Sequence, residues 1–218
     1  IILEDANLDK AVAIAVNARM QNAGQSCIAA KRFLVHENIV EEFVAKLKVA
    51  IQNLKTGNPF DKEMQIGSLA RVDLAEELEA QVEKSIQMGD DLIVGGTRKE
   101  AFYEPTILAN VTTEMPVFNE ETFGPVAAII TFKTIKEAIK LSNQSEFGLG
   151  VSIFTQDIDF IKTKIPSFNE GAVFINDMVK SDPRLPFGGI KKSGYGRELA
   201  EDGIKEFVNV KTVVINIL

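Results

Sequence analysis

Apolar positions along the chain fall into two alternating rhythms. Between residues 8 and 20 they recur at Leu8, Val12, Ala15, Val16 and the Arg19-Met20 pair, one helix face behind the polar starters Asp5 and Asn7. Arg32 to His36 reads as a strand. Asn38 with Glu41 then predicts a capping-box start for a helix whose stripe is Ile39, Phe43, Leu47, Ile51 and Leu54, closed by Thr56-Gly57-Asn58-Pro59. A third helix runs from Arg71 to Met88 through Leu74, Leu78, Val82 and Ile86 and stops at Gly89.

Beyond it, Asp91 to Val94 reads as a short strand, Phe102 to Val111 as extended chain around Pro105, and Val126 to Phe132 as a strand covered on both faces. Thr134 with Glu137 starts a helix. Gly150 to Thr155 is a strand, Asp157 to Ile165 a helix and Ala172 to Asn176 a strand. This alternation predicts an α/β domain with a mostly parallel sheet flanked by helices. In such sheets ligands sit at the carboxyl ends of the strands, and the search goes to the loops Phe118 to Pro125, before one strand, and Asn176 to Glu198, after another.

The tail departs from both rhythms. Val210 to Leu218 gathers Val213, Val214, Ile215, Ile217 and Leu218, too few residues for a membrane helix and too apolar to hang in water. It should pair as an edge strand, either with another subunit or within the chain. The division expected is a domain over 1–209 and an oligomerisation strand over 210–218.

Composition narrows the partners. At 218 residues, 45% apolar and 25% charged, the chain is ordinary for a soluble globular protein. A net charge of −7 argues against nucleic acid and anionic lipid, and Lys191, Lys192 and Arg197 are too few for a polyanion site. No apolar run of about eighteen residues spans a membrane, and no signal segment is visible. One cysteine excludes an intrachain disulfide and suits a reducing cytoplasm. The chain opens on Ile1-Ile2-Leu3 as a strand already under way, which reads as a fragment of a longer protein.

That cysteine, Cys27, carries the candidate chemistry. A lone cysteine is by default a small core hydrophobe, but Gly24, Gln25 and Ser26 favour a sharply turned polar loop. His36, the only histidine, reads as a strand-end surface residue, so Cys/His and Ser/His pairs and a Cys/His metal site are set aside. Neither usual phosphate-cradling glycine motif occurs. Cys27 must then draw reactivity from loop amides or an acidic base, and thiol attack on a carbonyl fits, the Cys27 N–H helping to hold the oxyanion. An aldehyde is the natural acceptor, because its thiohemiacetal can lose a hydride and leave a thioester. Glu120-Glu121-Thr122-Phe123-Gly124-Pro125 can turn one carboxylate to solvent and the other to a cleft, or be a solvated turn. Pro186 to Glu198 holds four glycines, either because backbone approaches something closely or as a flexible loop.

Together these stretches resemble the C-terminal catalytic domain of the aldehyde dehydrogenase superfamily. The likeness covers nearly the whole chain: Leu3 to Asp9, the Asn22-x-Gly24-Gln25-x-Cys27 motif, the Glu120-Glu121-x-Phe123-Gly124-Pro125 motif, and Phe187-Gly188-Gly189 to Arg197-Glu198. It implies that Cys27 is the nucleophile, that Glu121 binds the nicotinamide-ribose hydroxyls of NAD or NADP and that Phe123 packs near the nicotinamide. It implies also that Asn176 shapes the site, that Phe187 lines the substrate tunnel and that the terminal strand joins a neighbouring subunit in a homo-oligomer. Gln25 to Phe33 and Phe187 to Glu198 are most similar to NAD(P)-dependent succinate-semialdehyde dehydrogenases, with Ser181 at a position where such members use serine for the substrate carboxylate. Many of them place an arginine where this chain has Gln21, for which Lys180 or Arg184 could compensate. In the family the cofactor-binding domain, the oxyanion-hole asparagine and the water-activating glutamate lie upstream of the matched region, so the 218 residues alone are expected to be inactive. An acylating dehydrogenase using coenzyme A, a different aldehyde, and a non-catalytic assembly module are the alternatives.

Overall fold

The computed structural model describes residues 1–217. Helix α1 (Leu8–Met20) begins where the Asn7 side chain accepts from the Lys10 amide, and it turns Ala11, Val12, Ala15 and Ala18 inward. Strand β1 (Arg32–His36) follows the Cys27 loop. Helix α2 (Val40–Gln52) buries Phe43, Leu47 and Ile51, and helix α3 (Val72–Gln87) buries Leu78 and Val82 before Gly89 turns the chain at φ +104°. Strands β2 (Asp91–Val94), β3 (Arg98–Lys99), β4 (Phe102–Tyr103) and β5 (Thr106–Ala109) and the short helix α4 (Pro116–Asn119) lead to strand β6 (Val126–Phe132). Then come helix α5 (Ile135–Asn143), strands β7 (Phe147–Gly148) and β8 (Val151–Ile153), helix α6 (Ile158–Lys162), strands β9 (Val173–Ile175) and β10 (Ile190–Lys191), and helix α7 (Ala200–Lys205).

The central sheet runs β2-β5-β6-β1, with β1 and β5 parallel to β6 and only β2 antiparallel. Its order continues through residues too few to be a named strand. Ile2 donates to the Leu34 carbonyl and accepts from the His36 amide on one side, while Leu3 N–H donates to the Phe154 carbonyl on the other. The segment 1–3 thereby joins β1 to the parallel pair β8-β9. Strand β6 lies inside: Val126 to Ile130 are all buried, as an almost unbroken apolar run covered by helices requires.

Three local expectations are corrected. Asn38 does not cap α2; the cap residue is Ile39 without a side-chain bond, and the Asn38 side-chain Nδ2 donates to Glu4 Oε1 at 2.8 Å. A cap contributes about 1 kcal/mol, whereas burying Phe43, Leu47 and Ile51 contributes about 1.5–3 kcal/mol each, so packing fixes the helix without it. At α5 the expected pairing holds with an added bond: Thr134 accepts from the Glu137 amide, and Glu137 accepts from the Lys133 amide. The tail from 209 to 217 forms no strand pairing among the described residues and leaves Val210, Val213, Val214, Ile215 and Ile217 exposed, so the intrachain alternative is not realised there; Leu218 lies outside the described residues. Finally, the Cys27 and Glu121 loops enter β1 and β6 rather than leave them. They meet at the amino ends of these parallel strands, opposite to the end expected from sequence, because α1 and α4 deliver them there.

Candidate active site

The Cys27 loop is built from an uncommon run of backbone. Asn22 (φ 49°, ψ 38°), Ala23 (φ 53°, ψ 35°) and Gly24 (φ 76°) are successively left-handed, a conformation that L residues with a Cβ disfavour. The turn is closed by its own hydrogen bonds: Gln25 N–H to the Asn22 carbonyl at 3.1 Å and the Asn22 amide to the Gln25 carbonyl at 2.9 Å. Gln25 Oε1 also accepts from the Ala70 amide, and Ala30 N–H donates to the Ala18 carbonyl, both at 2.9 Å. Cys27 stands exposed between these fixed points.

A cavity of about 440 Å³ opens beside it, and Cys27, Glu121, Phe123, Arg19 and Lys31 all line it. The adjacent carboxylates of the acidic motif point apart. Glu120 Oε2 accepts from the side-chain Nε2 of Gln81 on α3 at 3.0 Å, while Glu121 faces the cavity. Phe123 keeps 41% of its surface exposed at the same rim. Lys192 and Ser193 of the glycine-rich stretch line the cavity as well, held there because Ser193 Oγ accepts from the Gly148 amide at 3.0 Å.

The other expected positions are not among the residues lining this cavity. Asn176, at the carboxyl end of β9 with φ 55°, accepts from the Thr155 amide and donates to the Thr155 carbonyl, bracketing β8 to β9. Phe187 is buried and pairs its backbone with Glu198 in both directions, at 2.7 and 2.8 Å. Ser181 is exposed on the loop after Asn176, which doubles back so that Val179 reaches the cavity wall. Lys180 is paired with Asp177, and Arg184 makes two bonds to Asp182. His36 lies at the far end of β1, 3.1 Å from the Lys133 carbonyl. Among the described residues no group of three or more His, Cys, Asp or Glu side chains could hold a metal, and no helix is long and apolar enough to cross a membrane.

Arg19, Lys31 and Arg32 bring cations into the cavity wall that sequence reasoning does not single out. Arg19 is 2% exposed; burial pulls its pKa down to about 10, opposed by the charge of Glu121. Lys31 falls to about 8, again chiefly through burial, with Arg32 adding to the effect. Its Nζ lies 5.9 Å from the centroid of the Phe147 ring. The signal for Arg19 was present, since it occupies an inward position of the α1 stripe.

Chemically, the rim combines an exposed thiol, a carboxylate able to accept from hydroxyls and an exposed flat ring. That arrangement can accept from ligand hydroxyls and pack a planar group beside the thiol.

The family model of the aldehyde dehydrogenase family matches residues 1–213. The chain belongs to this family. It is 50% identical, over 99% of its length, to the probable NADP-dependent succinate-semialdehyde dehydrogenase of Synechocystis sp., and 48% identical over 98% to the NAD(P)-dependent succinate semialdehyde dehydrogenase Sad of Escherichia coli. Its fold superposes on the crystal structure of succinate-semialdehyde dehydrogenase from Burkholderia pseudomallei with a TM-score of 0.91 at 35% identity, over 95% of this chain and 44% of that one. The chain spans about half the length of the curated relatives it matches, 48% and 47% for these two.

Proposed function

We propose that the full-length enzyme carrying these residues oxidises succinate semialdehyde to its acid with NAD or NADP, and that Cys27 is its nucleophile. The observation that carries the reading is that Cys27, Glu121 and Phe123 share one cavity in a chain about half identical to enzymes named for this reaction. Cys27 Sγ forms a bond to the aldehyde carbon as its proton is lost, and the resulting oxyanion faces the Cys27 N–H. Loss of hydride from that carbon leaves a thioester, and water then releases the acid and restores the thiol. A bound nicotinamide dinucleotide supplies the hydride acceptor; Glu121 would hold its ribose hydroxyls and Phe123 would pack against its ring.

On this reading Ser181, at a position where similar enzymes use serine, receives the substrate carboxylate, while Lys180 and Arg184 are paired with Asp177 and Asp182. Asn176 fixes the loop that carries Ser181, and Phe187 backs the glycine-rich stretch. Residues 1–209 form the catalytic domain, and 210–218 dock on a second copy of the chain. The 218 residues by themselves turn nothing over, as they span only half of these relatives. The test is Cys27→Ala in the full-length protein: loss of aldehyde-dependent NAD(P)H formation is expected, and retained formation refutes the reading.

A further inference from the structure

Arg19 lines the cavity and has no task in the chemistry above. Its guanidinium is almost completely buried, and Nη2 donates to the Gly24 carbonyl at 2.7 Å. Nε and Nη1 have no partner among the described residues. Where that single bond is made, two loops touch. A methyl on Gly24 would lie 2.1 Å from the Gly124 carbonyl oxygen and 2.8 Å from Arg19 Nη2. A methyl on Gly124 would in turn lie 2.3 Å from Leu78, so the second loop is backed by α3.

A buried cation with free donors lowers stability, and an apolar side chain of similar length packs the same space without that cost. Packing therefore does not explain an arginine on the inner face of α1. We propose that Arg19 is a positioning residue that clamps the Cys27 loop against the Glu121–Gly124 loop, fixing the thiol relative to the cofactor rim. This rests on the aldehyde dehydrogenase reading. Displacing reacting groups by about 1 Å costs roughly a hundredfold in rate, which sets the scale of the effect.

The test uses full-length protein with Arg19→Met and Arg19→Lys. For Arg19→Met the expected result is a kcat reduced at least about tenfold at an unchanged or raised Tm. Exchange of the hydrogen-bonded amides of Gln25, Ala29 and Ala30 should quicken while β1 and β6 stay protected. Arg19→Lys, which keeps the charge and a donor, should recover part of kcat. An unchanged kcat, or a loss matched by the fall in folded fraction, overturns the proposal. So does unchanged exchange at those three amides. Should the unmodified protein form no NAD(P)H from any aldehyde, the functional reading fails, and the exchange measurement alone decides the clamp.

Discussion

Gly24 lies so close to Gly124 that a methyl group on it would stand 2.1 Å from the Gly124 carbonyl oxygen, and its φ of +76° independently disfavours any other residue. The motif glycine is thus a contact between the Cys27 loop and the Glu121–Gly124 loop rather than a hinge. Gly24→Ala should destabilise the fold by about 2–4 kcal/mol, combining the steric overlap with the left-handed strain. A denaturant midpoint within error of the unmodified protein would contradict this.

Ala23 illustrates the opposite case. At φ 53° it carries the left-handed cost that glycine escapes. The residue is also buried in the core, so Ala23→Gly sets about 1–2 kcal/mol of relieved backbone cost against about 0.8 kcal/mol for the lost methyl and about 0.4–1 kcal/mol of unfolded-state entropy, and Tm should stay level or rise by less than about 2 °C. A lowered Tm would show that the Ala23 methyl packs for more than its backbone costs.

Asp90 should make stability fall as pH rises. Its carboxylate is buried, both oxygens lack a partner among the described residues, and burial, with the charge of Asp91 second, lifts its pKa to about 6. The folded state therefore holds this proton more tightly than the unfolded chain does. Its contribution is full below the unfolded value near pH 4 and is lost as pH rises toward about 6. Asp90→Asn should accordingly gain about 1–2 kcal/mol at about pH 7 and nothing near pH 4, read from thermal scans at both. An equal gain at both pH values would contradict the titration.

The exposed tail predicts assembly. Val210, Val213, Val214, Ile215 and Ile217 leave an apolar strip that water does not favour. Removing residues 210–218 should reduce the oligomer to a smaller species by light scattering. The same mass with and without the tail would place the interface elsewhere.

Much of this was legible in the sequence because packing and chemistry act locally. The α2 stripe of Phe43, Leu47 and Ile51 and the apolar run of β6 emerge as read, since periodicity reports burial directly. What escaped reading is long-range. Ile1 to Leu3 become the link between β1 and β8 only through hydrogen bonds to residues more than a hundred positions away on one side. That the Cys27 and Glu121 loops share one end of the sheet depends on β1 and β6 running parallel, which no local pattern encodes. Arg19 was counted on the inner face of α1, but its bond to Gly24 becomes visible only once Asn22 and Ala23 fold the loop back.

The central claim is that Cys27 carries the acyl group. Full-length protein incubated with succinate semialdehyde and NAD(P), acid-quenched and digested, should yield the Cys27 peptide bearing a succinyl thioester by mass spectrometry. The label should disappear after hydroxylamine and should be absent from Cys27→Ala. Turnover at the full rate with the Cys27 peptide unmodified throughout, or with the acyl group on another residue, would contradict the account.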